Sequence, residues 1–166
     1  MKAVVVYRSK YGSAKRYAEW IAEDLGADIF DAEVFHPEDF AKYDVVVYGG
    51  SVYAGAVLGI ALVSENMAVL RNKRTAVFTV GLTSPDAAEV LENLRAKNFS
   101  DEMLKKVRAF HFPGAVEYAK LSLKDKLIMK MINSSMREKI DLHQDNVSRA
   151  AIAPLVSFAL GGEADE

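Results

Sequence analysis

Cysteine is absent from this 166-residue sequence. Its absence excludes disulfides, thiolate nucleophiles, iron–sulfur clusters and thiolate zinc sites. Any redox chemistry therefore has to come from a bound organic cofactor. The three histidines lie near no other ligand type at metal-binding spacing, so we expect no metal site.

Excess charge and long apolar runs are also lacking. The formal net charge is −2, which gives no sign of a surface for polyanions, so we expect no nucleic-acid partner. No uncharged stretch reaches the roughly 18 residues that a membrane span needs. The apolar run that starts at Lys2 is too short for a signal peptide, and the expected location is the cytoplasm.

Short apolar runs alternate with helical patterns along the chain. Three continuous runs have the β-branched composition of parallel strands that are buried on both faces: Ala3–Tyr7, Asp44–Tyr48 and Thr75–Val80. Weaker strands are predicted near Ala27–Phe35 and Val107–Phe112. This alternation predicts an α/β fold, a doubly wound parallel sheet with helices on both faces, in a single domain over residues 1–166.

The helical patterns have recognisable ends. The first carries an apolar stripe from Ala14 to Leu25 and ends at Gly26, which suits a left-handed C-terminal cap. A second is predicted over 60–70. A third is predicted to begin at Ser84 and Pro85, and Pro154 is expected to kink or split a last helix over 145–160.

Ligands of such sheets bind outside the carboxyl ends of the strands, so the segments that follow the strands are informative. The first strand leads through Ser9–Ala14 into a helix, which combines hydroxyls, a glycine and free amides suited to phosphate. Gly49–Gly55 can pass close to a flat ligand, and Val80–Pro85 is again small and polar. Each segment alone is equally compatible with an ordinary turn, but all three fall at one edge of the predicted sheet.

The segment from Ser9 to Ala14 resembles the flavodoxin phosphate loop, Ser/Thr-x-x-Gly-x-Thr, although Ala14 stands where that family commonly has a hydroxyl. Gly50–Tyr53 resembles the loop that lines the flavin ring. The resemblance implies FMN and a flavodoxin-like three-layer sandwich with a five-stranded sheet in the order 2-1-3-4-5. The residues implied to bind FMN are Ser9, Lys10, Tyr11, Gly12, Ser13, Ala14, Ser51, Val52, Tyr53, Ala54, Gly55, Gly81, Leu82, Thr83 and Ser84.

Residues 113–136, called the insert below, follow the fifth predicted strand. The stretch from Asp125 to Met131 resembles the Lys- and Met-rich helix of the menaquinone-dependent protoporphyrinogen IX dehydrogenase branch of the flavodoxin-like superfamily. The chain departs from that branch at Lys120–Ser122 and Asn133–Ser135. The resemblance implies an enzyme that oxidises protoporphyrinogen IX with a quinone acceptor in haem biosynthesis.

The insert contains a basic amphipathic helix, with apolar residues on one side and Lys124, Lys126 and Lys130 on the other. Such a helix packs on the core, covers a lipophilic substrate, or makes a peripheral membrane contact through residues 123–132. Two other functions remain open, an electron carrier between redox proteins and a non-catalytic FMN-binding module. No side chain is identified as a catalytic acid or base.

Overall fold

Parallel strands rich in β-branched residues form the centre of the fold. A computed structural model describes residues 1–137 and 139–162, so the last four residues of the predicted domain lie outside it. The strands of the main sheet are β1 (Ala3–Arg8), β2 (Asp28–Asp31), β3 (Val45–Tyr53), β4 (Ala56–Val57), β5 (Arg74–Gly81) and β6 (Arg108–Pro113). In this part of the chain the order is β2-β1-β3-β5-β6, all parallel, with β4 added antiparallel to β3. The predicted order 2-1-3-4-5 of the parallel strands is confirmed.

Helices cover both faces of this sheet. They are α1 (Ser13–Leu25), α2 (Ala61–Ser64), α3 (Met67–Leu70), α4 (Ala88–Asn98), α5 (Asp101–Lys106), α6 (Leu123–Ser135) and α7 (Ala153–Ala159), with 3₁₀ turns at Pro37–Lys42, Tyr118–Lys120 and Arg149–Ile152. Alternate residues of each strand point to opposite faces, so Val4 and Val6 join one core and Val5 joins the other. Each such buried valine contributes about 1.5–3 kcal/mol of transfer free energy.

Three helix predictions were wrong in extent. The helix predicted over 60–70 is broken into α2 and α3 at Asn66, whose side-chain amide donates to the Leu62 carbonyl at 2.8 Å and competes with the helical backbone pattern. The third helix begins at Ala88, because Ser84 caps a turn in which its hydroxyl accepts from the Asp86 amide at 3.3 Å. The prediction of a last helix over 145–160 is also wrong in extent: Asp145 lies in a strand, a 3₁₀ turn covers Arg149–Ile152, and Pro154 lies in the first turn of α7.

The third strand is longer than the prediction. Gly49 and Gly50 are not in a loop but within β3, where the sheet and its neighbours approach too closely for a side chain. A Cβ atom on Gly49 would lie 1.9 Å from the ring of Phe78, and one on Gly50 would lie 2.7 Å from Val57. The two glycines are therefore required by the packing around β3. The strand continues to Tyr53, and a tight turn follows at Ala54 and Gly55, both with positive φ.

The insert leaves the sheet after β6. It begins with β7 (Ala115–Glu117), continues through α6, and the chain then returns through β8 (His143–Asp145). β7 and β8 pair antiparallel as a separate two-stranded ribbon, with Val116 opposite Gln144. Both ends of this excursion therefore lie at the edge of the sheet where the parallel strands end.

Candidate functional site at the carboxyl ends of the strands

The loop between β1 and α1 presents unpaired backbone donors at this edge. Gly12 has φ 101°, a conformation that favours glycine, and its amide donates to the Ser9 hydroxyl at 3.0 Å. The first bond of the helix runs from the Arg16 amide to the Gly12 carbonyl at 3.0 Å. The amides of residues 13–15 therefore have no acceptor within the helix and form a donor group suited to an anion.

The end of β3 and the loop after β5 lie beside this first loop. The Lys10 amide donates to the Ser51 hydroxyl at 3.3 Å, which ties the first loop to the end of β3. On the other side, the Gly114 amide donates to the Gly81 carbonyl at 2.9 Å. A Cβ atom on Gly81 would lie 3.3 Å from Val52, so the two segments are in close contact.

These segments surround a cleft of about 650 Å³, which is within the usual range for small-molecule and cofactor sites. Nine residues expected from the sequence line it: Lys10, Tyr11, Gly12, Ser13, Ser51, Val52, Tyr53, Gly81 and Leu82. The structure thus brings together parts of all three strand-end segments in one cavity.

The other expected residues lie at its margins or elsewhere. Thr83 and Ser84 line a smaller neighbouring cavity of about 330 Å³ that shares Gly81 and Leu82 with the cleft. Ser9 supports the loop through Gly12, and Ala14 is fully buried against the sheet and does not line the cleft. Ala54 and Gly55 form the hairpin turn; the Gly55 carbonyl accepts from Asn98 of α4 at 2.9 Å.

Sequence reasoning missed one wall of the cleft. This wall comes from the insert and the ribbon and consists of Gly114, Ala115, Val116, Glu117, Lys120, Leu121, Met129, His143, Gln144 and Asp145, with Arg16 of α1 beside it. Arg16 holds the ribbon in place through an ion pair with Asp145 at 3.1 Å. The pairing of β7 with β8 has no strong local signal, which explains the omission. The sequence signal that could have indicated this wall was the resemblance of the insert to a redox enzyme.

Asp125 of α6 joins the insert to the loop after β1 and to the end of β3. The hydroxyls of Tyr11 and Tyr53 each donate to one of its carboxylate oxygens, and the Lys10 ammonium lies 3.6 Å away. Burial raises the pKa of Asp125, but the hydrogen bonds from the two tyrosines and the charge of Lys10 outweigh it and hold the pKa below the ordinary 3.8. The same hydrogen bond to Asp125 is the first cause of the raised pKa of Tyr53.

His111 of β6 is a satisfied, half-buried histidine beneath the loop after β5. Its Nε2 lies 3.0 Å from the Thr83 carbonyl, which can only accept, so Nε2 carries the proton. Nδ1 then accepts from the Thr79 hydroxyl at 2.7 Å. Burial lowers the pKa of His111, against the opposing effect of the bond to Thr83. Both ring nitrogens of His111 are thus bonded within the fold.

The apolar side of α6 faces away from the fold. Four residues, called the apolar stripe below, are exposed by 85%, 61%, 63% and 40%, respectively: Leu123, Leu127, Met131 and Ile132. The interpretation of these residues as core is therefore wrong, because the contacts of Asp125 set the rotation of the helix. Within the described residues, no helix is long and apolar enough to cross a membrane, and no group of candidate metal ligands occurs.

Comparisons with known proteins agree with this architecture. The family model described as "Flavodoxin domain" matches residues 4–142. A search of the curated proteins finds no match to the sequence.

Among solved structures, the flavodoxin of Streptococcus pneumoniae TIGR4 is similar at 14% identity, with a TM-score of 0.53 over 96% of this chain and 96% of that chain. A flavodoxin from the domain Archaea has 15% identity and a TM-score of 0.47 over 80% and 93% of the two chains. The Trp repressor binding protein of Bacillus subtilis has 13% identity and a TM-score of 0.49 over 68% and 83%. The first of these likenesses supports the fold.

The lowered pKa of Asp125 makes a testable contribution to stability. Because the ionised carboxylate is favoured in the folded protein, its stabilisation is complete above the unfolded pKa of 3.8 and is lost as the pH falls through the lower folded value. The groups that face it are Lys10, Tyr11, Tyr53 and Ser122. We expect the difference in free energy of unfolding between the wild type and Asp125→Asn to shrink below pH 3.8.

Urea titrations of both proteins across this pH range measure that difference. Asp101→Asn, at an exposed position in the first turn of α5, is the control for a lost carboxylate elsewhere. A difference that stays constant at every pH would contradict the assignment.

Proposed function

We propose a function on the premise that this chain belongs to the flavodoxin domain family, whose model spans residues 4–142. FMN is the cofactor of this family and of this domain. When bound, FMN supplies the redox chemistry by accepting and releasing electrons and hydride equivalents. The chain itself binds and orients the group and shapes what can approach it.

The first loop fits the phosphate of FMN. Its donors are the amides at the start of α1, and the positive end of the helix dipole favours the charge of a phosphate. A Cβ atom on Gly12 would meet nothing within 4 Å, so open space lies directly above the loop. We assign the phosphate to Ser9–Ala14, with Ala14 contributing no hydroxyl.

The flavin ring is assigned to the part of the cleft between the end of β3 and the loop after β5. Val52, Tyr53 and Leu82 offer apolar surface there, while backbone groups near Gly81 offer hydrogen bonds to the ring edge. Thr83 and Ser84 lie in the adjoining smaller cavity, close enough in the chain to complete this side of the site.

The observation that favours an enzyme over an electron carrier is the wall that the insert adds to the cleft. Val116, Leu121 and Met129 place apolar surface in the same cleft as the flavin-binding segments. A carrier that exchanges electrons through an exposed flavin edge does not need such a wall, whereas an enzyme that binds a lipophilic substrate does. The geometry thus favours an oxidoreductase that binds a lipophilic small molecule beside FMN.

We assign protoporphyrinogen IX as the electron donor and a quinone as the acceptor, supported by the resemblance of Asp125–Met131 to the quinone-dependent enzymes of haem biosynthesis. Oxidation of the porphyrinogen breaks C–H and N–H bonds and releases electrons and protons. Conversion of the porphyrinogen to the porphyrin releases six electrons and six protons, and each quinone takes up two of each to become a quinol, so three quinones balance the reaction. No side chain is assigned a proton-transfer step.

The apolar stripe is assigned to a peripheral contact with the cytoplasmic face of the membrane, where a quinone is dissolved. The stripe points away from the cleft and is flanked by Lys124 and Lys130, both exposed. Each lysine near an anionic surface adds about 1 kcal/mol of attraction, and apolar side chains enter the headgroup boundary.

The phosphate assignment predicts the effect of Gly12→Ala. An alanine would be strained at φ 101° and would place a methyl group where the phosphate is expected, so FMN affinity should fall at least tenfold, or about 1.4 kcal/mol. Flavin fluorescence titration measures the affinity.

Gly26→Ala is the matched control, because Gly26 ends the same helix with φ 59° and also has open space around it. It should cost about 1 kcal/mol of stability and leave FMN affinity unchanged. Equal losses of FMN affinity in both variants would contradict the phosphate assignment.

The substrate assignment predicts two coupled reactions of the purified yellow protein. Under anaerobic conditions, protoporphyrinogen IX should bleach the flavin absorption, and menadione should restore it. A protein that cannot be loaded with FMN would overturn the assignment of FMN to this cleft. A yellow protein that is inert to the porphyrinogen but is reduced by a flavodoxin reductase would instead establish the electron carrier.

The membrane contact predicts that the protein co-sediments with vesicles that contain anionic lipid and less with neutral vesicles. Leu127→Gln should weaken this binding about tenfold, since a buried leucine contributes roughly 1.5–3 kcal/mol. Leu104→Gln is the control, because Leu104 is 48% exposed on α5, outside the insert. Unchanged sedimentation of Leu127→Gln would mean that the apolar stripe does not contact the membrane.

A further inference from the structure

Asp125 is the only charged side chain that is buried in the part of the chain that the structure describes; it is 3% exposed. It lies near the start of α6, where the Ser122 hydroxyl accepts from its amide at 3.2 Å and caps the helix. A buried carboxylate is costly unless its oxygens are fully bonded. Its partners therefore show what its position depends on.

Those partners come from the two segments assigned to the flavin, not from the insert. Tyr11 lies in the phosphate loop and Tyr53 lies at the end of β3, and their hydroxyls bond opposite oxygens of the one carboxylate. Tyr11 also accepts from the Ser122 amide at 3.3 Å. Asp125 thus bonds to both segments, and Ser122 adds a second bond to the first of them.

Lys10 completes the cluster. Its ammonium lies 3.6 Å from the carboxylate and 4.1 Å from the centre of the Tyr53 ring, so it pairs with the charge of Asp125 and covers one face of Tyr53. Its backbone amide is bonded to Ser51 in the same cleft. Loss of the carboxylate would leave two tyrosine hydroxyls and one ammonium without this common partner, next to the expected phosphate.

We propose that Asp125 is a positioning residue that couples docking of the insert to binding of FMN, so that each stabilises the other. This inference rests on the proposed flavin site. When α6 is docked, Lys10, Tyr11 and Tyr53 are held in the arrangement that lines the cleft. A ligand that binds this arrangement more tightly must favour docking by the same factor, because such coupling is reciprocal.

The experiment compares the full-length wild type, Asp125→Asn and Lys124→Gln, with and without FMN. FMN affinity is measured by flavin fluorescence, and docking by hydrogen exchange of residues 118–135. In the wild type, FMN should slow exchange of this segment. In Asp125→Asn, the segment should exchange faster without FMN, FMN affinity should fall about tenfold, and the protection by FMN should disappear.

Lys124→Gln removes a charge from the exposed side of the same helix and, in the absence of lipid, should leave FMN affinity and the exchange of residues 118–135 as in the wild type. Asp125→Glu keeps a carboxylate and should recover part of both effects. If Asp125→Asn does not fold, Tyr11→Phe and Tyr53→Phe each remove one hydrogen bond and should shift affinity and exchange in the same direction, by less.

Two results would overturn the coupling. One is unchanged FMN affinity in Asp125→Asn with faster exchange of the insert, which would mean a purely structural contact. The other is unchanged affinity and unchanged exchange. Either result leaves the flavin site intact, whereas a wild type that binds no FMN would refute the proposed function, so the two failures are distinguishable.

Discussion

Parallel pairing imposes one constraint on which the rest of this structure depends: the five parallel strands of the doubly wound sheet all end at the same edge. The turns after β1 and β5, the end of β3 and the segment after β6 therefore meet there, although the residues involved range from Ser9 to Asp145. Alternation of valines between two cores makes this register strict, because a shift by one residue would exchange the buried faces. The cleft is thus a consequence of sheet topology, and the chemistry of the loops decides what it holds.

How much of this could be predicted depended on whether the signal was local. The apolar runs around Val5, Val47 and Val77 indicated the strands directly, and Gly12 with the nearby serines indicated the tight turn that begins α1. Gly49 and Gly50 are typical of a loop when taken alone, because the side chains that require them, Phe78 and Val57 respectively, lie in other strands. The rotation of α6 was likewise hidden, since the tyrosines that fix it are 114 and 72 residues away in sequence.

Two free-energy contributions of opposite sign act on the orientation of α6. Rotation of the leucine side toward the domain would bury more apolar surface, at about 1.5–3 kcal/mol for each fully buried residue. It would also withdraw Asp125 from two charge-assisted hydrogen bonds worth about 1.5–3 kcal/mol each and from Lys10. The observed helix keeps the polar contacts and leaves Leu123 and Leu127 in water. An apolar environment outside the domain would remove the free-energy cost of exposing these leucines to water. It would do so without disturbing the cleft.

The ribbon of β7 and β8 has a consequence for how such chains diversify. Because Ala115 and Asp145 are paired, the excursion between them begins and ends at adjacent points. A short hairpin could replace residues 118–142 with no change in the register of the main sheet. The segment between these points can thus be lengthened, exchanged or deleted in evolution while the register of the main sheet stays constant. New substrate ranges can then arise without renewed selection for the fold.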